Sequence, residues 1–337
     1  MEFSIIVTAH NRKKFLNDAV KSVLRQTISR DYYEIILVKN FVDDVIDSEL
    51  KVDNFNVVVS DAETVGAKIS VALDLAKGDV IVFLEDDDVF EPTKLETLRK
   101  VFQDPCVGYY HNSYTIIDEN GKNTANTLAT STISKPIQIG GVNQSFRDIS
   151  VLNALEAPYY LSCISIKSNL LKKNVNKIIN QQVAVDPFMF YIALESDYTL
   201  YIDNAVLTKR RIHSENNSVA SDSTFKNFIL RKKKFLEGTI NGYRIIRAIA
   251  QRDSIVLYSE YRIYIGALVL MSITPYSGKL PFPFKKIVTF TLNSKLPLLL
   301  QLLTAYIISK LIPGLGGAVY FLYENRKLHK ILYIKNF

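Results

Sequence analysis

Cysteine is almost missing from this sequence of 337 residues: Cys106 and Cys163 are the only two. They stand far apart and have no Cys-x-x-Cys spacing. That excludes a disulfide framework and a cysteine-held structural zinc, and it points to a reducing compartment in which both are small core residues. Glycine is missing from the whole opening stretch, since none precedes Gly66. No glycine-rich phosphate loop therefore opens the chain. Met1 to Ser4 run straight into an apolar segment with no basic-then-apolar leader, so no secretory signal peptide is expected. Internal repeats and low-complexity tracts are absent as well.

Hydrophobic residues make up 48% of the chain and charged residues 22%. A sizeable core can form, and global disorder is excluded. The length is too great for one small domain and fits two domains, or one domain with an appendage. The formal net charge of +7 fits an anionic partner such as nucleotide phosphates, a membrane surface or nucleic acid, or serves solubility alone.

Strand-type and helix-type patterns alternate through the first hundred residues. Phe3 to Thr8, Glu34 to Val38, Phe55 to Val59 and Val80 to Leu84 read as strands. Phe15, Leu16, Ala19, Val20, Val23 and Leu24 recur at helical spacing, as do Ile69, Ala72, Leu73 and Ala76, with Gly78 as the expected C-terminal cap. Pro92 opens a further helix with Leu95, Leu98 and Val101 facing inward. This alternation predicts a parallel sheet covered on both faces. Ligands of such sheets bind beyond the carboxyl ends of the strands, which puts the loops after Thr8, Val38 and Leu84 at one mouth. Beyond Pro105 the pattern loosens. Tyr109 to Asn112 reads as strand, Asp118 to Gly121 as a turn, Thr124 to Ser145 as a long lid-like loop, and Phe188 to Leu194 as helix.

After Phe225 the composition shifts. Arg231-Lys232-Lys233-Lys234 is a basic run, Tyr243 to Ala250 is helical, and Ile263 to Thr274 is an uncharged stretch that fits a buried helix as well as a membrane segment. Leu296 to Tyr323 is the most apolar part, charged only at Lys310 and interrupted by Pro313 and nearby glycines. The piece before that break, 296 to 312, would be about 25 Å long as a helix, slightly short of a bilayer core. Flanking lysines and Arg326 suit a membrane surface, a re-entrant hairpin or a marginal span. An apolar helical pair packed on the rest of the chain, or on a second copy, is the alternative.

Glu85-Asp86-Asp87-Asp88 carries the strongest chemical signal. At an effective dielectric of 20, two unit charges 4 Å apart cost about 4 kcal/mol, so such a run needs full solvation or a cation. Its place after a buried strand, at the mouth of the sheet, favours a hard divalent ion with oxygen ligands. His10-Asn11-Arg12 follows the first strand, where main-chain groups and the Arg12 guanidinium can meet a nucleotide; an ordinary polar loop is the alternative. Asp186, before Pro187 and an apolar helix, is a helix cap or a general base. Arg210-Arg211-Ile212-His213 is a diphosphate-holding set or a basic surface turn.

These segments together resemble the family-2 glycosyltransferases, inverting enzymes of the GT-A fold. Ser4 to Arg12 looks like that family's opening strand and nucleotide loop, and Ala19 to Thr27 like its first helix, ending in Gln-Thr. Ala76 to Asp88 looks like its Ala-x-Gly, apolar strand and acidic metal motif, with Pro92 and Leu95 at its Pro-x-x-Leu. The likeness covers roughly residues 3 to 105 and weakens between 106 and 220. It implies an α/β fold of GT-A (Rossmann-like) type: a mixed, mainly parallel sheet flanked by helices, plus a helical C-terminal region. The implied domains are 1–224 (a nucleotide-binding half, 1–105, and an acceptor half, 106–224) and 225–337.

The resemblance also implies roles. Asp186 is the catalytic base. Thr8, Ala9, His10, Arg12, Asn40, Lys68, Asp86 and Arg211 line the nucleotide site. Asp87, Asp88 and His213 hold Mg2+ or Mn2+, with His213 and Arg211 resembling a late Arg-x-His at the diphosphate. Two features depart from the pattern. Lys39-Asn40 stands where relatives carry two aspartates, with Asp43 and Asp44 nearby, and Glu85 stands where Asp is commoner. The implied partners are a nucleoside-diphosphate-sugar donor and a glycan or lipid-linked acceptor, with no nucleic acid. At the C-terminal region the partner is a membrane surface or a second copy in a homodimer. The implied location is the cytoplasm, with the cytoplasmic face of the cell membrane as the alternative. An inactive nucleotide-sugar-binding scaffold and a nucleotidyltransferase are the competing readings.

Overall fold

Phe3–Ala9 is buried at every position, so this first strand, β1, has to be covered on both faces. The computed structural model describes residues 2–44, 47, 48, 50, 55–124, 133–140, 144–213 and 224–274, together with 307, 318 and 321. It divides into two compact units, Met1–Asn143 with Asn153–Arg211, and Gln144–Leu152 with Ile212–Phe337.

In the first unit, β1 is followed by α1 (Leu16–Leu24), β2 (Tyr33–Lys39), β3 (Phe55–Val59), α2 (Val65–Leu75) and β4 (Val80–Glu85). After these come β5 (Val89–Phe90), α3 (Lys94–Val101), β6 (Val107–Ile117) and β7 (Ile137–Ile139). Helix α4 (Phe146–Ala154), most of which belongs to the second unit, leads on to β8 (Ile164–Lys167), α5 (Ser168–Lys172), α6 (Val175–Ile178), α7 (Val185–Glu195) and β9 (Thr199–Arg211) of the first. The sheet order among these strands is β3-β2-β1-β4-β8-β6-β9-β5, with β7 on β9. Strands β1, β2, β3, β4, β6 and β9 run one way, and β5, β7 and β8 run the other. The sheet is thus mixed and mainly parallel, as the GT-A resemblance implies.

Register puts the site-bearing loops together. Ala9 lies opposite Lys39 and Thr8 opposite Glu85, so residues 10–12, 40 and 86–88 leave the sheet at one edge. The Gln26-Thr27 pair ties the exit of the acidic loop to α1. The Gln26 side chain takes the Leu95 amide at 2.9 Å and donates to the Glu91 carbonyl, while the Thr27 amide reaches the Pro92 carbonyl.

Several expectations need correction. Gly78 is not a helix cap: α2 ends at Ala76 in extended conformation. Glycine is required there because a Cβ would lie 2.3 Å from the Ser4 nitrogen. Helix α3 starts at Lys94, two residues after Pro92, which occupies the preceding turn. Asp186 lies inside the first turn of α7 and does not cap it; Ala184 is the flanking residue. The segment expected as one long loop contains a strand, β7, paired to β9. Residues 125–132 and 141–143 of that segment lie outside the described residues, as does the stretch 296–323 apart from 307, 318 and 321.

In the second unit, α8 (Phe225–Ile249) and α9 (Asp253–Ile273) form a hairpin. The Arg231 to Lys234 run and the Tyr243 segment belong to one helix, α8. A side chain at Gly266 would press on Ile240, and Arg247 pairs with the buried Glu260 at 2.8 Å. Phe146 contributes its ring to Tyr258 and Tyr261. Helix α9 is long and apolar enough to cross a membrane, but 67% of its most apolar window is buried inside the protein. A core helix passes the same test.

Candidate active site

The acidic loop follows β4 because that strand is fully apolar until Glu85. Its anchors come from elsewhere in the chain. The Glu85 amide donates to the Ser162 hydroxyl at 3.0 Å. Lys94, fully buried, donates to the Ser162 carbonyl at 2.6 Å and to Thr208 at 3.1 Å. Burial lowers the Lys94 pKa to about 7, with Asp88 opposing the shift.

Asp86, Asp87 and Asp88 are all buried. The Arg12 guanidinium bridges two of them, hydrogen-bonding Asp86 and meeting Asp87 at 3.0 Å. The Asp86 carboxylate also takes the His10 amide. Asp88 is turned inward and accepts the Arg211 amide at 3.0 Å. Burial pushes both Asp86 and Asp88 up to about 6, and Glu85 well above the ordinary carboxylate range. One guanidinium therefore does not neutralise this loop.

The donor set is oxygen-only, and a protein cation already lies between Asp86 and Asp87. That suits a hard divalent ion bound by one or two carboxylates and completed by substrate phosphates. Among the described residues, no group of three His, Cys, Asp or Glu side chains is arranged to hold an ion by itself. His213 is buried, two residues past the end of β9, and lies in the second unit.

Thr8 and Ala9 end β1 with their side chains buried, so their main chain is what a ligand can meet. Asn11, at φ 56, and Asn40 exchange hydrogen bonds: the Asn11 amide donates to Asn40 Oδ1 and Asn40 Nδ2 to Asn11 Oδ1, both at 2.8 Å. Lys39 is fully buried, pairs with Asp47 and donates to the Phe41 carbonyl, so its ammonium is already engaged. Lys68 is buried too, donating to the Ala62 carbonyl and to His10 Nδ1 at 3.0 Å. An ammonium only donates, so this contact fixes Nδ1 as an acceptor. Burial and then the Lys68 charge lower the His10 pKa.

Arg211 differs from its expected role. Its Nε donates to the Asp87 carbonyl, Nη1 to the Asp118 and Glu119 carbonyls, and Nη2 to Asp18 at 2.9 Å, with the plane over Phe15. With every guanidinium nitrogen engaged, it holds the acidic loop in place.

Asp186 is half-buried, and its carboxylate accepts the Tyr160 amide at 3.0 Å. Burial raises its pKa to about 7, against the lowering effects of that amide and of Arg210. Its charge is felt at Glu85, so the α7 carboxyl and the acidic loop share one electrostatic neighbourhood.

Sequence reasoning missed Lys94 and Tyr160, and it grouped Arg210 with Arg211 as a diphosphate-holding set or a basic surface turn. The first left a signal: Lys94, Leu98 and Val101 share a helical face, which sends Lys94 toward the core. Tyr160 meets Arg210 only through the fold and left none.

Comparison with known proteins agrees with this fold. The family profile described as Glycosyl transferase family 2 matches residues 4–158. An uncharacterised glycosyltransferase of Nostoc sp. is 34% identical over 128 residues, 36% of this chain and 39% of the relative's length. Another, of Haemophilus influenzae, is 29% identical over 231 residues, 66% of this chain and 72% of the relative. The crystal structure of S. aureus TarS 1-349 in complex with UDP-GlcNAc superposes with a TM-score of 0.54 at 14% identity, covering 99% of this chain and 93% of that one.

Proposed function

Since the chain carries a family-2 glycosyltransferase domain of the GT-A fold, we propose that it moves a sugar from a nucleoside-diphosphate-sugar to an acceptor hydroxyl by single displacement with inversion. The observation that carries this reading is that one short segment holds both Asp186 and the buried acidic loop: the Tyr160 amide donates to Asp186, and the Ser162 hydroxyl, two residues on, accepts the Glu85 amide. Asp86 and Asp87 would hold Mg2+ or Mn2+ with the donor phosphates, and the ion would offset the charge of the leaving diphosphate. His213 is retained as a candidate ligand. Arg12 would exchange its carboxylates for phosphate oxygens or stay as a second cation. The Thr8-Ala9-His10 main chain and Asn40 would line the nucleoside, with Lys68 fixing the His10 ring. Arg211 and Asp88 brace the loop. Asp186 would take the proton of the acceptor hydroxyl, and the Tyr160 amide orients it for that task.

UDP-GlcNAc, the ligand of the TarS complex, heads the donor candidates. A glycan or lipid-linked acceptor, a cytoplasmic location and a membrane-facing or dimerising C-terminal region complete the proposal. The test is nucleoside diphosphate release from a panel of nucleotide-sugars with Mg2+ or Mn2+, run beside Asp87→Asn. Release from one donor, abolished by EDTA and by the variant, is the expected result. Metal-independent release, or a variant as active as the parent, overturns the metal assignment. Neither release nor nucleotide binding with any donor overturns the function.

A further inference from the structure

Successive residues of a strand face opposite sides, and the end of β9 divides its two arginines accordingly. Arg211 is held by the acidic loop and its neighbours on one side. Arg210 lies against Tyr160, 3.5 Å from guanidinium carbon to ring centre, and against Tyr114 at 4.7 Å. Those rings meet edge to face. One carboxylate pins both hydroxyls: Tyr114 donates to Glu156 at 2.7 Å and Tyr160 at 3.1 Å. The platform is built under strain, since Glu156 and Tyr160 have φ of 60° and 68°, left-handed values that non-glycine residues adopt at a cost.

What the platform presents is unusual. Arg210 is half-buried and its charge is felt at Glu85, Asp88 and Asp186. Yet among the described residues no carboxylate lies within ion-pair distance of it, and no acceptor takes any of its N–H groups. A guanidinium kept only as a counterion would be hydrogen-bonded, as Arg211 is. A planar, permanently charged fork with open donors suits a phosphate or carboxylate taken in two parallel bonds.

Its position indicates which substrate brings that anion. Tyr160 supports Arg210 with its ring and Asp186 with its amide, so a group bound at Arg210 sits beside the hydroxyl that Asp186 would deprotonate. The diphosphate belongs with Arg12, Asp86 and Asp87. We propose that Arg210, on its Tyr114–Tyr160 platform, binds an anionic group, phosphate or carboxylate, carried by the acceptor. The inference rests on Asp186 being the base of glycosyl transfer.

The test uses the full chain in EDTA, so that no metal draws anions to the acidic loop. Affinities of glucuronate against glucose, and of glycerol 1-phosphate against glycerol, are measured by ligand-observed NMR for the parent, R210Q and R210K. In the parent, at least one anion is expected to bind about tenfold or more tightly than its neutral partner, as a charge-assisted pair predicts. That preference should vanish in R210Q and weaken severalfold in R210K, which keeps the charge but not the fork. The pair that responds identifies the anion as carboxylate or phosphate. No preference in the parent, or one that survives R210Q, overturns the proposal; should R210Q not fold, an undiminished preference in R210K does so. If the donor panel fails while Arg210-dependent binding holds, the transferase reading falls and the anion site stands.

Discussion

At Asp186, burial and the proposed role as base pull in opposite directions. The fold raises its pKa to about 7 by burial, so the folded state holds this proton more tightly than the unfolded chain does. The stability gained is fully present below the ordinary carboxylate value and is lost as pH rises through about 7. A base must be ionised to act, so the proposed activity would tolerate a charge that the fold disfavours. Asp186→Asn keeps an oxygen for the Tyr160 amide and removes the charge. Turnover is expected to fall about 10²- to 10⁴-fold. Thermal unfolding should show the variant more stable than the parent at pH 8 and equal to it at pH 4. An equal offset at both pH values would mean that the charge is not the cause. The parent's kcat should rise with pH through about 7.

At the scale of elements, the fold was legible wherever one strand or helix carried its own pattern. The four leading strands and the first helix fall within a residue or two of expectation; for β1, β2 and β4 the reason is that full burial of a parallel strand favours a run of apolar residues. Gly78 was legible as a special residue but not for the right reason. A helix cap is a local property, whereas the close approach of Ser4 is a contact across the fold. Gly78→Ala should therefore cost about 1–3 kcal/mol in urea unfolding, because the added carbon meets Ser4 and Phe3 backbone atoms that cannot rotate away. A loss of only a few tenths of a kcal/mol would show that β1 yields easily. Strand β7 was not legible at all. A three-residue strand has too few positions to show alternation, and its pairing with β9 is what makes it one.

For the whole molecule, the excess negative charge gathered at the mouth should dominate the pH response without ligand. Asp86 and Asp88 at about 6, Asp186 at about 7 and a raised Glu85 all shift in the same direction. Their joint contribution to Tm should decline as pH rises from about 4 to 7. Mn2+ with a nucleoside diphosphate, bound only by the folded chain, should reverse that decline, adding about 2.7 kcal/mol at a hundred times Kd. A Tm unchanged between EDTA and the loaded protein at pH 7 would argue against the ion.

The sequence by itself determined the alternating α/β order, the acidic loop at a strand end, and the family resemblance that rests on them, because each depends on residues near one another in the chain. Only the tertiary structure decided which charges are available. Arg211 looked like a phosphate ligand and is bound on all sides. Lys39 and Lys68 are buried, and Arg210, beside Arg211 in sequence, has no acceptor for its donors among the described residues. An isolated segment does not reveal whether a cation already has its partners, because those partners come from Asp18, Asp118, Tyr114 and Tyr160, brought together only when the sheet closes.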